Sequence, residues 1–377
     1  MSIPGSPSIL EHFGNIEDPR MTRRRLHKLV DIMGIAICAV ICGAENWQEI
    51  EQWGKAKRVW LKTFLELPNG IPSHDTFGRV FGLIDDQAFQ KAFLDWVQDV
   101  NTIFNGQVIA IDGKCSRGSH DRANGKSAIY MVSAWATENS LVLGQVKTDE
   151  KSNEITAIPK LLRSLAIKGC IVTIDAAGCQ KKIAKQIREQ GADYVLALKG
   201  NQGSLHEEAK EYFEIALKDG FKDIEHDFFE ETNGGHGRVE VRRYWTLTQK
   251  CWLEKIEGWQ DLKVLGMVES ERHVGEKVSV ERRHYIASLP GDAKQFAKAV
   301  RGHWGIENGL HWCLDVAMGE DAARTRSGNS AANFAVLRHT ALNLLKAEKT
   351  KKVGIKAKGK VCGWDHDYLL KVLEKAK

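Results

Sequence analysis

The order of short apolar runs between residues 107 and 198 most constrains how this chain folds. Three β-rich runs come first, and Thr137–Ser140 joins the second and third as a hairpin turn. The runs that follow alternate between helix and strand. In chain order they are strands 107–111, 129–136 and 141–146, helix 154–166, strand 170–174, helix 179–190 and strand 194–198. This order predicts an α/β fold in which helices flank a mixed sheet.

The segments on either side of these runs differ in their predicted secondary structure. Residues 1–100 have a helical apolar period, and Ser73 and Asp75 predict a helix start near 73. Residues 220–282 are rich in strands and read as an insertion, after which 283–289 is a candidate to rejoin the main sheet. The chain is helical from 292. We therefore predict three parts: an N-terminal helical domain at 1–100, a central domain at 101–345 and a basic tail at 346–377.

The positive charge is concentrated locally. The whole chain has 54 basic and 49 acidic residues, a net charge of +5. Residues 346–377 alone contain ten lysines and four acidic residues. A second cluster lies before the long apolar helix, and consists of Arg20, Arg23, Arg24, Arg25 and Lys28. Two such clusters are consistent with a polyanionic partner, although solvated surfaces are the simpler interpretation.

The apolar and cysteine patterns exclude several classes of protein. The longest uncharged apolar stretch, 32–44, has 13 residues, whereas a helix across a bilayer needs roughly 20. It predicts a buried helix, no membrane partner and, without a secretion signal, a cytoplasmic location. The 8 cysteines include no Cys-x-x-Cys pair, which argues against a zinc ribbon and a disulfide framework.

Two acidic residues follow buried strands. Asp112 comes after the apolar run 108–111, and Asp175 comes after 171–174. Open α/β sheets bind ligands at the carboxyl ends of their strands. Each aspartate alone is often a helix cap, but a pair with a third acid nearby favours a site for divalent cations.

The segment 300–317 supplies a candidate for the third acid. It is predicted as one helix with a polar stripe formed by His303, Glu307, His311 and Asp315. Glu307 is the candidate ligand. Two other interpretations stay open here: a zinc site formed by both histidines with Glu307, and a solvated polar stripe.

Five motifs together resemble one family over nearly the whole chain. They are VIAIDGK (108–114), KTDEKSNEITAIPKLL (147–162), IDAAGCQ (174–180), YVLALKGNQG (194–203) and HWGIENGLHWCLDV (303–316), supported by HDTFGRV (74–80) and DHDYLLKVL (365–373). This combination is similar to the H-repeat-associated transposases, a bacterial insertion-sequence group of DDE enzymes.

The resemblance implies a ribonuclease H-like catalytic core with a β-rich insertion before the third acid. It implies that Asp112, Asp175 and Glu307 are the catalytic residues and hold two Mg²⁺ ions, which Mn²⁺ can replace, with Asp112 shared between them. It further implies cleavage of double-stranded DNA at the element's terminal repeats, strand transfer into target DNA, and a homo-oligomer on DNA. One departure is clear. Where related transposases carry Tyr, Arg and Lys around the third acid, this chain has Val300, His303 and Leu314.

DNA binding requires positive and polar groups that contact phosphates. The predicted contacts flank the acids or lie in the basic N-terminal cluster: Lys114, Arg117, Lys199, Asn201, Gln202, His303, Arg324, Arg326, Arg23, Arg24 and Arg25. Trp304 is either a stacking residue for a flipped base or a core residue. Two other functions fit the same residues: an inactive, DNA-binding relic of a transposase, and a stand-alone metal-dependent DNA nuclease.

Overall fold

A continuous mixed sheet forms the centre of the protein in the computed structural model, which describes residues 9–100, 104–120, 127–148, 154–235, 237–248 and 256–374. The strands of these ranges are β1 Val108–Cys115, β2 Tyr130–Ala136, β3 Leu141–Lys147, β4 Ile171–Ile174, β5 Asp193–Leu198, β6 His226–Gly235, β7 Arg238–Leu247, β8 Val264–Val274 and β9 Lys277–Ala287. Their order across the sheet is β3-β2-β1-β4-β5-β9-β8-β7-β6.

The first five strands have the predicted arrangement. Strands β1, β2 and β3 pair antiparallel, whereas β1–β4 and β4–β5 pair parallel. Residues 108–111 and 171–174 are buried, as expected of central strands that are covered on both faces. This order and the flanking helices are those of a ribonuclease H-like fold, so the predicted fold class is confirmed.

The strand-rich region after residue 220 extends the same sheet. Strand β9 pairs antiparallel with β5, from Val195 opposite Ala287 to Leu198 opposite His284. Strands β8, β7 and β6 then add in turn as a long antiparallel meander. The last run of this region therefore rejoins the main sheet, and the outer halves of its strands project beyond the core.

Helices cover the sheet and form both ends of the chain. They are α1 Ile9–Gly14, α2 Leu29–Ile41, α3 Trp47–Ala56, α4 Arg58–Leu61, α5 His74–Leu83, α6 Asp86–Val100, α7 Glu154–Arg163, α8 Lys181–Glu189, α9 Gly203–Lys218, α10 Ala293–Ile306, α11 Trp312–Met318, α12 Ser330–Ala347, α13 Ile355–Trp364 and α14 His366–Glu374. Ser73 caps α5 by accepting a hydrogen bond from Thr76 N–H, as predicted. Helix α2 is almost wholly buried, and no described helix is long and apolar enough to span a membrane.

Helix α12 joins the N-terminal helices to the sheet. The side chain of Asn343 both accepts from Val142 N–H (2.8 Å) and donates to Val142 O (2.9 Å) in β3. At its other end, Asn333 Nδ2 donates to Phe81 O (2.8 Å) and Ile84 O (3.0 Å) at the end of α5. One hydrophobic core therefore includes the N-terminal helices, α12 and one face of the sheet.

The basic C-terminal segment is folded over the residues that the structure describes, and differs there from the predicted tail. Helices α13 and α14 bury Cys362, Leu369 and Val372 in the main core. The Lys358 ammonium is buried and donates to Leu345 O at 2.9 Å. Apolar residues at helical spacing within a lysine-rich sequence account for this packing. Residues 375–377 lie outside the described residues.

We expect Leu369→Ala to lower the free energy of unfolding of the whole protein by about 2–5 kcal/mol, because it leaves a cavity in the shared core. Urea denaturation measures this change. Lys371→Ala, on the exposed face of the same helix, is the matched control and should have little effect. Equal stabilities of the two variants would show that α14 is not part of the core.

Candidate active site

Asp112 and Asp175 lie next to each other at the edge of the parallel strand pair. The β1–β4 register ends at Ile111 opposite Ile174, so the following residue on each strand is one of the two aspartates. Strand β1 was predicted to end at Ile111, but it continues to Cys115 because β2 still pairs with it there. Asp112 is thus inside a strand, where its backbone is fixed by Ser133 of β2.

Hydrogen bonds hold the loop that carries Asp175 in place. Asp175 Oδ1 accepts a hydrogen bond from Ala177 N–H at 3.0 Å. Asn201 Nδ2 donates to Ala176 O, and Gln202 Nε2 donates to Cys179 O at 3.0 Å. Asn201 and Gln202 were predicted as DNA contacts, but these hydrogen bonds instead give both amides a role in positioning the Asp175 loop.

Glu307 lies at a break in helical register. The predicted helix over 300–317 is in fact α10, one π-helical turn at Glu307–His311, and α11. Trp312 N–H donates to Glu307 O, five residues back. Such π turns often occur at functional sites. Glu307 is also exposed.

Glycines allow this helical segment to lie close to strands β1 and β2. A Cβ atom on Gly302 would lie 2.8 Å from Val108 Cγ1, and one on Gly309 would lie 2.7 Å from Trp135 Cζ2. Thr137 Oγ1 donates to Gly302 O at 3.0 Å. The close approach brings Glu307 to the same side of the sheet as the two aspartates.

The three acids line one cavity of about 200 Å³. Besides them, its wall includes Thr173, Lys199, Arg283, His303 and Trp304. Asp112, Asp175 and Glu307 come from three separate elements, a strand, a loop and a π turn. The cavity therefore brings together carboxylates that are up to 195 residues apart in the sequence.

Asp112 is the most perturbed carboxylate of the site. Burial raises its pKa to about 7, although the hydrogen bond from Gly113 N–H (2.9 Å) acts in the opposite direction. The neighbouring carboxylates of Glu154, Asp175 and Glu307 contribute to this raised pKa. A perturbed acid in a cavity is typical of functional sites, and here positive charge near Asp112 would relieve the repulsion.

Sequence reasoning missed a fourth carboxylate, Glu154. It begins α7 and accepts a hydrogen bond from the Tyr130 hydroxyl. A Cβ on Gly113 would lie 2.3 Å from Glu154 Oε1, so the glycine after Asp112 makes room for this side chain. Burial raises the pKa of Glu154, and Asp175 adds to the effect. Acidic residues commonly begin helices, so the pattern alone did not single it out. The preceding motif residues 149–153 lie outside the described residues.

The two histidines of the polar stripe contact strand residues. His311 Nδ1 lies 3.6 Å from Asp112 Oδ2, and burial lowers the pKa of His311 to about 4. His303 Nδ1 is 3.2 Å from Thr173 Oγ1, and burial also lowers its pKa. The described part of the chain contains no group of three His, Cys, Asp or Glu side chains that could hold a metal ion together, which argues against the zinc interpretation.

Lys114 is bound within the protein. Its ammonium contacts Asp315 (2.7 Å), Glu320 (2.9 Å) and Asp321 (3.1 Å), and the side chain is only 12% exposed. It was predicted to contact DNA, but these contacts make it a link between β1 and the end of α11. Arg117, 82% exposed and 3.8 Å from Asp321, remains accessible.

Three other predicted DNA contacts line two separate cavities. Lys199 is exposed and lines the cavity of the acids. Arg324 and Arg326 line a separate groove of about 810 Å³, together with His74 and Arg79 of α5. The sequence alone did not indicate this second groove, because α5 and residues 324–326 are far apart in the chain.

Some arginines of the N-terminal cluster form ion pairs and hydrogen bonds within the protein. Arg20 is buried and pairs with Asp18 at 2.7 Å. Arg25 donates to Arg20 O and Asp18 O, both at 2.9 Å, whereas Arg23 is exposed. The side chain of Arg24 lies outside the described residues. The cluster is far smaller as a free basic surface than its sequence indicates.

A ribonuclease H-like sheet with three acids at one cavity defines a class of proteins that act on nucleic acids, and comparison with known families identifies the member. Residues 103–344 match the family model of the transposase DDE domain, and 10–97 match the model described as DDE_Tnp_1-associated. The chain belongs to the DDE transposase family.

Individual relatives agree with this assignment. The chain is 46% identical to Putative transposase YncI of Escherichia coli O157:H7, over 97% of this chain and 94% of that protein. It is 43% identical to H repeat-associated putative transposase YhhI of Escherichia coli K12, over 97% of each chain. The resemblance to the H-repeat-associated group is thus confirmed.

Among solved structures, the chain is similar to a piggyBac transposase synaptic complex with hairpin DNA. The TM-score is 0.41 at 10% identity, over 98% of this chain and 79% of that chain. The likeness is too distant to assign any property of the site.

We expect Gly309→Ala to destabilise the protein by about 1–3 kcal/mol, because the added methyl group overlaps the buried Trp135 ring. Gly203→Ala is the control, since nothing lies within 4 Å of a Cβ placed there. Chemical denaturation of both variants measures the difference. An unchanged free energy of unfolding for Gly309→Ala would mean that the helix does not need this close approach.

We also expect Asp112→Asn to stabilise the protein at pH 8. A carboxyl group whose pKa is higher in the folded state binds more protons when folded, so wild-type stability falls as pH rises from about 4 to about 7. The asparagine removes that loss, which is on the order of 1–4 kcal/mol.

Urea denaturation in EDTA at pH 5 and pH 8 measures this effect. Glu214→Gln, at an exposed position of α9, controls for the loss of one negative charge. The gain of the Asp112→Asn variant over wild type should be larger at pH 8 than at pH 5. The same gain at both values would mean that Asp112 titrates normally.

Proposed function

We propose that this chain is an active transposase that cleaves DNA at the ends of an insertion sequence and transfers the strand to target DNA. The observation that carries the proposal is that Asp112, Asp175 and Glu307, which we assign to the DDE positions from the sequence motifs, line one cavity. Phosphodiester chemistry needs such a concentration of carboxylates to hold cations against an anionic substrate.

The donor set fits a pair of divalent cations. Carboxylate oxygens suit Mg²⁺ or Mn²⁺, and each Mg²⁺ takes only one or two protein carboxylates, with phosphate oxygens and water as its other ligands. A pair of ions therefore does not require three side chains around one point. Asp112 would be shared, with Asp175 and Glu307 on either side. When bound, the ions would activate the attacking hydroxyl or water and stabilise the leaving 3′ oxygen.

The chain's own groups would position the acids and the phosphate. Gly113 N–H holds one oxygen of Asp112, and Ala177 N–H holds one oxygen of Asp175. Lys199 and Arg283 place positive charge at the cavity wall, where they would bind the phosphate that is cut. His303 is half-buried and its Nδ1 lies 3.2 Å from Thr173 Oγ1, so we assign it to holding the β4 edge.

The remaining predicted contacts support DNA binding outside the cavity. Arg117 and Arg23 are exposed, and Arg324 and Arg326 line the second groove. We propose that the N-terminal helices, residues 9–100, and this groove read the terminal repeats of double-stranded DNA. The protein would act as a homo-oligomer that holds two ends, in the bacterial cytoplasm where its DNA lies.

A strand-transfer assay tests this function. Purified protein, labelled element-end DNA, a target plasmid and Mg²⁺ should give a joined product, and EDTA should abolish it. Asp112→Ala should reduce joining by at least about 10³-fold, because it removes the carboxylate shared by both ions. Glu214→Ala is the control and should retain wild-type joining.

The other outcomes of the assay identify the alternative functions. Cleavage without joining would contradict strand transfer and favour a stand-alone nuclease. DNA binding without cleavage in Mg²⁺ or Mn²⁺ would contradict enzymatic activity and favour an inactive, DNA-binding relic.

A further inference from the structure

A third surface depression, larger than the cavity of the acids, lies next to that cavity. This groove, of about 900 Å³, lies between helix α10 and one face of strands β7, β8 and β9. Its wall includes five arginines and three glutamates: Arg238, Arg242, Arg272, Arg283, Arg301, Glu240, Glu281 and Glu307. We call it the arginine groove. None of these arginines was singled out from the sequence.

The strand register explains why these side chains share a face. Arg242 lies opposite Ser270, which in turn lies opposite Glu281. Side chains alternate between the two faces of a strand, so every second residue from each of these positions lines the groove. On β7, Arg238 lies four residues before Arg242, and on β8, Arg272 lies two residues after Ser270. Both arginines therefore share the groove face.

Arginines pair with glutamates on both faces of this sheet, and on the groove face these pairs are Arg242–Glu240, Arg283–Glu281 and Arg301–Glu231. On the opposite face, Arg243 contacts Glu230, Glu269 and Glu271 within 3.0 Å, and Arg282 contacts Glu269 at 2.7 Å. Those arginines are neutralised inside the protein. On the groove face, Arg238 and Arg272 are exposed and form no ion pair with any described residue.

The arginine groove is continuous with the cavity of the acids. Arg283, Trp304 and Glu307 belong to the walls of both. At this junction the Arg283 guanidinium lies 4.7 Å from the centre of the Trp304 ring, and Glu281 holds it with two hydrogen bonds of 2.8 and 2.9 Å. A polyanion bound along the groove would thus reach the carboxylates directly.

We propose that the arginine groove binds the phosphate backbone of DNA next to the scissile phosphate. This inference rests on the proposed function, since it takes DNA as the substrate of the acids. One arginine guanidinium can donate two parallel hydrogen bonds to the oxygens of a phosphate. Two observations together favour a DNA strand that leaves the cavity along β7–β9: Arg238 and Arg272 form no ion pair with a described residue, and the groove shares a wall with the cavity of the acids.

Salt-dependent binding of DNA tests the groove without any catalytic step. A fluorescein-labelled 30-base-pair duplex is titrated with full-length protein in EDTA, and anisotropy gives Kd at several salt concentrations. Each lost phosphate contact lowers the slope of log Kd against log salt by about 0.9. For the double variant Arg238→Ala/Arg272→Ala we therefore expect weaker binding and a slope reduced by about 1.8.

Two further variants separate the groove from charge and folding effects. Lys222→Ala/Lys263→Ala removes two exposed charges away from the groove and should leave the slope unchanged. Arg238→Lys/Arg272→Lys keeps the charge and should restore most of the slope, which a misfolded protein would not do.

The outcomes distinguish this inference from the proposed function. Equal slopes for the groove variant and wild type, or an equal loss in the lysine control, would overturn the groove while leaving the strand-transfer proposal intact. Failure of the wild-type protein to bind DNA would overturn both. A reduced slope in a protein that fails to join strands would support the groove alone.

Discussion

The close contact between helix α10 and strands β1 and β2 is the constraint on which the rest of the site depends. Gly302 and Gly309 permit it, because any side chain there would overlap Val108 or Trp135. The π turn then places Glu307 at the cavity and His311 beside Asp112. A regular helix or a bulkier residue would move the third acid away from the two aspartates at the sheet edge.

This contact concentrates negative charge around Asp112. The pKa of Asp112 is raised by burial and by the carboxylates of Glu154, Asp175 and Glu307. Lys114, two residues further along the chain, is held by three other carboxylates, those of Asp315, Glu320 and Asp321. Positive charge at this site would relieve the repulsion, which supports our proposal that these carboxylates hold cations.

The fold extends this site in both directions along one sheet. Strand β9 pairs with β5, so the strand-rich insertion continues the central sheet and carries the arginine groove. On the other side, Asn333 and Asn343 of α12 fix the N-terminal helices to the core. Elements that the sequence separates into domains thus share hydrophobic packing and hydrogen bonds.

The sequence by itself determined the order of helices and strands along the chain and the family, and it singled out Asp112, Asp175 and Glu307 as candidate site residues, because apolar periods and motifs are local patterns. It predicted Lys114 as a DNA contact because it follows Asp112, and Asn201 and Gln202 because they follow the strand 194–198, but it contains no information on the contacts that each side chain makes within the protein. Glu154, the π turn and the arginine groove were decided only by the tertiary structure. Their roles depend on contacts between segments far apart in the chain, and such contacts arise from packing and strand register, which no local pattern records.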